Sequence, residues 1–147
     1  MTGPSGLDVL RAALETGEGA PPCAQTLGAE LLSIEPGHVR VRFDARPEFC
    51  NGMGNVQGGF LAAMLDDSMG PALFTLLDNG QFAPTLEMKV SFLRAARPGP
   101  IVGEGRVAHR TKNVAFLEGT LTAEDGDVVA TATATARILA PSNGTAQ

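Results

Sequence analysis

The pattern of apolar and polar positions divides the chain into a short helix, six strands and one long apolar helix. Ser5, with Asp8 three residues on, has the spacing of a helix N-cap with an acidic third position. Leu7, Leu10, Ala13 and Leu14 then share one helical face as far as about Glu15. Gly17 to Pro22 ends that helix. Ala29 to Ile34 predicts a strand, and Glu35-Pro36-Gly37 a tight turn after it. From His38 to Asp44 the period is two, with Val39, Val41 and Phe43 on one face and His38, Arg40, Arg42 and Asp44 on the other. Arg46 to Gln57 is a loop rich in Asn and Gly. Beyond a turn at Asp78-Asn79-Gly80, Leu86, Met88, Val90 and Phe92 alternate with polar residues. Strands follow at Ile101–His109, Val114–Thr122 and Val128–Leu139, with a hairpin at Glu124-Asp125-Gly126-Asp127. Ala and Thr alternate strictly from Ala130 to Ala136, so small residues lie on both faces and predict close packing against a neighbouring layer.

The chain is organised around Asn51 to Leu77, NGMGNVQGGFLAAMLDDSMGPALFTLL. Phe60 to Leu65 are apolar on every side, which predicts a helix buried all round rather than amphipathic. Gly70-Pro71 falls within it, and proline's missing N–H and its clash with the preceding turn predict a kink or a break into two helices. Hairpin-linked strands around a single apolar helix give an α+β fold, an antiparallel sheet wrapped around one long central helix. One sheet has two edges and an outer face, so pairing with a second copy is expected. Residues 1–24 are expected to be an N-terminal helix and linker, 25–140 the domain, and 141–147 a flexible tail.

Composition narrows the function. With 44% hydrophobic and 18% charged residues over 147 positions, this is an ordinary globular chain. A net charge of −5 argues against a nucleic-acid partner. Two acids and Gly70-Pro71 interrupt the apolar helix, so no membrane span is expected, and no signal-peptide pattern opens the chain. A cytoplasmic location is the default expectation. Cys23 and Cys50 have no metal-ligand spacing, and no metal site is expected. His38, on a polar strand face, is expected at the surface.

Two features of the central stretch suggest chemistry. Gly58 and Gly59 stand where the helix begins; the first N–H groups of a helix lack internal partners and carry partial positive charge. Such a terminus holds an anion, polarises a carbonyl, or merely admits the chain to the helix. Asp66 and Asp67 follow six consecutive apolar residues, and a buried carboxylate is costly unless something satisfies it. Asp67 is rotated about 100° from Asp66, so the two do not form a close dyad. One is expected to point to the chemistry and the other to solvent, a partner chain or a cation.

Asn51, then Gln57-Gly58-Gly59, then Asp66 resembles the hotdog-fold acyl-CoA thioesterases of the phenylacetate-pathway (PaaI-like) type. TLEMKVSFLRAARPG and KNVAFLEGTL are similar to that family's later strands, and the likeness runs from about Gln25 to Leu139. The resemblance implies hydrolysis of an aromatic or medium-chain acyl-CoA to the free acid and CoA. It also implies sites built between subunits of a homodimer, itself expected to pair as a dimer of dimers (a homotetramer). It gives Gly58 the N–H that polarises the carbonyl, and Asp66 the role of activating water or attacking as nucleophile. Asn51 orients water or carboxylate, Thr85 assists, and Gly59 lies beside the substrate. No cofactor is implied beyond coenzyme A as part of the substrate. Where the family usually has His, this chain has Gln57, which hydrogen-bonds but does not titrate near neutrality. The phosphates of CoA need local cations, and Arg94, Arg97, Arg110 and Lys112 are the candidates. Two other readings share the fold: a non-catalytic acyl-CoA sensor, and an acyl thioester hydratase or dehydratase.

Overall fold

The computed structural model describes residues 3–141. Helix α1 (Gly6–Thr16) opens on the expected cap: the Ser5 hydroxyl accepts from Asp8 N–H, and the Asp8 carboxylate accepts from Ser5 N–H at 3.1 Å. Gly17, in the left-handed region at φ 70°, closes it. A short helix, α2 (Pro22–Thr26), follows where no helix was expected; it is one turn long, too short for apolar periodicity to reveal. No helix among the described residues is long and apolar enough to cross a membrane.

Six strands form one antiparallel sheet: β1 (Glu30–Glu35), β2 (His38–Ala45), β3 (Thr85–Phe92), β4 (Gly99–Arg110), β5 (Val114–Ala123) and β6 (Val128–Arg137). The spatial order is β1-β2-β4-β5-β6-β3, so β3 leaves the helix to pair with β6 at the far edge. The period of two is realised as predicted: Val39, Val41 and Phe43 are buried, and so are Ala130, Ala132, Ala134 and Ala136, while the intervening threonines take the outer face. The residues beyond Pro141, most of the expected tail, lie outside the described residues.

Helix α3 (Gly58–Phe74) lies across the inner face of the sheet. Three inward positions on the central strands are glycine. A Cβ on Gly105 would come 1.9 Å from the Ser68 carbonyl oxygen, and one on Gly103 would come 2.1 Å from Ser68 Oγ. Gly119, opposite Gly105 in the ladder, leaves room for Met69. The helix therefore settles closer to the strands than any side chain would allow.

One expectation for α3 needs correction, and of the kink or break expected at Gly70-Pro71 the break does not occur. The helix is not buried all round: Leu61, Met64, Leu65, Ser68, Met69, Ala72 and Leu73 are buried, whereas Gly59, Ala63, Asp66 and Gly70 form an exposed stripe. Six apolar residues in a row hid this asymmetry, because two of them are alanines that water tolerates. Nor does Gly70-Pro71 break the helix, which continues to Phe74. Pro71 stands one turn from the end, where a single missing hydrogen bond is all that is lost.

Candidate active site

The loop before α3 is pinned so that Gly58 has a fixed place. Phe49, fully buried, stacks on Phe60 with ring centroids 4.3 Å apart. Gln57 N–H donates to the Phe49 carbonyl at 2.8 Å, and Val56 N–H to that of Ala96 at 2.8 Å. Asn51 Oδ1 accepts from the N–H groups of Met53 and Asn55, at 3.0 and 3.3 Å. The Asn51 amide oxygen thus shapes the turn. Gln57 is the N-cap of α3: its Oε1 accepts from Gly59 N–H at 2.9 Å. Capping needs only an acceptor, so an amide serves in this place without titrating.

Gly58 is the first residue of the helix, and its N–H has no acceptor among the described residues. It lines a cleft of about 340 Å³ with Asn51, Asn55, Leu61, Phe92 and Arg94. A Cβ at Gly58 would meet the Phe92 ring at 3.1 Å, so glycine keeps the amide reachable. The helix dipole adds to the pull of this N–H on a carbonyl oxygen.

Asp66 lies eight residues further on, about 12 Å along the axis. It is exposed rather than buried, and its Oδ1 accepts from Thr85 Oγ1 at 3.0 Å. Thr85 starts β3, nineteen residues later in sequence, so helix and edge strand together orient this carboxylate. The chain therefore brings Asp66 to Thr85 and Gly58 to Asn51, and holds the two pairs apart. Strand β3 links them: Thr85 stands beside Asp66 and Phe92 beside Gly58.

Asp67 points elsewhere. It is half-buried, its carboxyl has no hydrogen bond or ion pair among the described residues, and burial, with Asp66 as a second cause, raises its pKa to about 6. A carboxyl that holds its proton more tightly folded than unfolded favours the fold below about pH 4. That contribution is lost as pH rises through 6. Allowing for its remaining contact with water, the cost at neutral pH is about 1–2 kcal/mol. Asp67→Asn is expected to raise Tm by several degrees at pH 7.5 and by much less at pH 4. A calorimetric scan at the two pH values checks this; an equal shift at both would mean that charge burial is not the cause.

The four candidate cations do not form one patch. Arg94 and Arg97 stand near the start of β4 in a cleft of about 470 Å³, which meets the Gly58 cleft at Arg94 and Ala95. Glu124, Asp125 and Asp127 share that cleft, and Arg94 Nη1 lies 2.5 Å from Asp127 Oδ2. Arg110 and Lys112 are at the opposite end of β4. There Arg110 donates to the Leu76 carbonyl, and Lys112 is exposed. No cluster of three or more His, Cys, Asp or Glu suited to a metal occurs among the described residues.

Residues 53–130, more than half of the chain, match the thioesterase superfamily. The solved structure of a phenylacetic acid degradation-related protein from Ralstonia eutropha JMP134 is similar, with 36% identity and a TM-score of 0.81 over 86% of this chain and 97% of that one. A thioesterase family protein from Silicibacter pomeroyi has 26% identity and a TM-score of 0.80, covering 88% of this chain and 98% of its own. The Streptococcus mutans UA159 protein smu.793, solved bound to acetyl CoA, shares the fold at 24% identity and a TM-score of 0.71, over 77% of this chain and 90% of that one. With one long helix laid along a six-stranded antiparallel sheet, the chain belongs to the thioesterase superfamily, as a hotdog-fold thioester hydrolase of the PaaI-like type.

Proposed function

We propose that this enzyme hydrolyses an aromatic or medium-chain acyl-CoA, at sites formed where two copies meet. Gly58 N–H of one copy and Asp66 of the other then act on the same thioester. The observation that carries this reading is the division of the machinery. One chain separates the free amide from the carboxylate by about 12 Å of helix, and an exposed edge strand runs from one to the other. Leu86 and Phe92 of β3 are more than half exposed, and its outer edge has no partner strand among the described residues. A two-fold axis that pairs β3 with its copy, antiparallel, sets the Phe92 end of one strand beside the Thr85 end of the other. The Gly58 amide of each copy is thereby offered to the carboxylate of its neighbour.

In that arrangement Gly58 N–H donates to the thioester carbonyl and stabilises the oxyanion as the carbon becomes tetrahedral. Asp66, aimed by the Thr85 hydroxyl, takes a proton from the attacking water or adds to the carbon itself. Either route breaks the C–S bond and releases CoA as its thiolate; on the second, water then cleaves the acyl–Asp66 anhydride to the free acid and restores the carboxylate. Arg94 and Arg97 line the cleft that adjoins the Gly58 cleft and are the cations nearest to it, although Arg94 already pairs with Asp127. Support for a CoA ester comes from the acetyl-CoA-bound protein of the same fold.

Mixing two inactive variants tests the reading. Gly58→Pro removes the N–H and adds a ring against which the Phe92 side chain has to shift by a few tenths of an ångström; proline is accepted at the first position of a helix, and Gln57, at φ −66° and ψ 139°, already has the angles preferred before it. Asp66→Asn removes the charge. Each alone is expected to release little thiol from acyl-CoA. After the two are unfolded and refolded together, half of the dimers are mixed and each has one intact site, so about a quarter of wild-type activity returns. No recovery, with both variants folded and dimeric, would place both groups on one chain's site or remove them from catalysis.

A further inference from the structure

A third cavity, of about 600 Å³, lies between α3, the β1–β2 edge of the sheet and α1. Its walls are largely apolar, with Leu10 and Leu14 of α1, Leu31 of β1 and Phe74 of α3 among them. Its charged lining is all of one sign: Asp67, Glu18 and Glu30, with no Lys, Arg or His among the described residues. Glu30 has Arg42 at 3.6 Å, and Glu18 is on the exposed rim. Asp67 alone is half-buried in the wall without any partner. Gly70, one turn beyond Asp66 on the exposed stripe, lines the cavity, and a Cβ built there meets nothing within 4 Å.

Resting on the proposed hydrolysis at Asp66, we infer that the acyl group passes over Gly70 into this cavity, and that Asp67 selects acyl groups with an apolar body and a hydrogen-bond donor, best of all a cationic amine, at the far end. The apolar walls hold the body of the acyl group. An ionised carboxylate partly shielded from water and lacking a partner is costly, and an ammonium or hydroxyl on the ligand supplies what is missing. A cation gains most, because Glu18 adds to the negative field and no base in the lining offsets it. A carboxylate-ended acyl group is repelled by the same charges.

The test uses acyl-CoAs of one medium chain length that end in methyl, hydroxyl, ammonium or carboxylate, with acetyl-CoA as the short reference. For the wild type, kcat/KM is expected to fall in the order ammonium, hydroxyl, methyl, carboxylate, with about tenfold or more between ammonium and methyl. In Asp67→Asn the ammonium-to-methyl ratio is expected to fall close to one. Gly70→Leu, which suits a helix and fills the open space over Gly70 at the cavity's edge, is expected to lower the ratio of every medium-chain ester to acetyl-CoA. The same ammonium-to-methyl ratio in wild type and Asp67→Asn would overturn the assignment, as would equal cleavage of ammonium- and carboxylate-ended esters. If no ester, acetyl-CoA included, releases thiol, the hydrolytic reading fails. The same series is then ranked by calorimetric binding, where an ammonium preference lost in Asp67→Asn upholds the cavity assignment and its absence rejects it.

Discussion

Asp66→Asn is expected to lower kcat on a good acyl-CoA substrate by about 10²-fold or more, the scale of a lost general base or nucleophile. The substitution is a sharp one. The Asn carbonyl oxygen still accepts from Thr85 Oγ1, where Asp66 Oδ1 now lies at 3.0 Å, so the contact between helix and edge strand survives while the negative charge does not. KM should change little by comparison, because the residue acts on the reacting carbon rather than on the nucleotide. Removing the hydroxyl instead, in Thr85→Val, should cost less, since the carboxylate remains and only its aim is loosened. Thiol release under saturating substrate measures both. A kcat for Asp66→Asn equal to that of the wild type would take Asp66 out of the reaction.

The second large effect is on stability. Gly105→Ala puts a methyl group 1.9 Å from the Ser68 carbonyl oxygen and 2.8 Å from Met69 Cα. Both are backbone atoms of α3, so no side-chain rotation relieves the overlap, and the helix itself has to lift from the sheet. The expected loss is about 3 kcal/mol or more, at the upper end for overpacking. For a chain of this size that lowers Tm by about 10 °C. Gly52→Ala is the control: its Cβ would meet nothing within 4 Å and its φ is not in the left-handed region, so it should leave Tm nearly unchanged. If the two variants melt together, the glycines under α3 are not what sets its distance from the strands.

What could be read from the chain before folding follows from how each signal is encoded. Strand faces were legible because a period of two is written into neighbouring residues: Val39, Val41 and Phe43 are buried as their spacing requires. The cap at Ser5 and Asp8 was legible for the same reason, being local. The direction of Asp66 was not. Six apolar residues before it predict burial, yet small residues at Gly59, Ala63 and Gly70 make a face that one chain leaves open. Only the third dimension tells which side of a helix meets the sheet. Thr85 was within reach of the motif by resemblance, but its hydrogen bond to Asp66 needs β3 to cross to β6, a long-range event that no spacing encodes. Strand ends look alike in sequence, so spacing could not tell that Arg97 stands just before β4 and Arg110 at its far end.

The Ala/Thr alternation of β6 has a consequence for the carboxylate beneath which it never passes. Were β6 to slip by one residue, Thr131, Thr133 and Thr135 would turn inward under α3, hydroxyls without acceptors, and the alanines would be thrown to water. β6 carries β3 on its other side, so the same slip would shift Thr85 along the strand by about 3 Å, out of hydrogen-bonding reach of Asp66. A row of single methyl and hydroxyl groups, remote from any chemistry, thus keeps the hydroxyl that aims the acid in step with it.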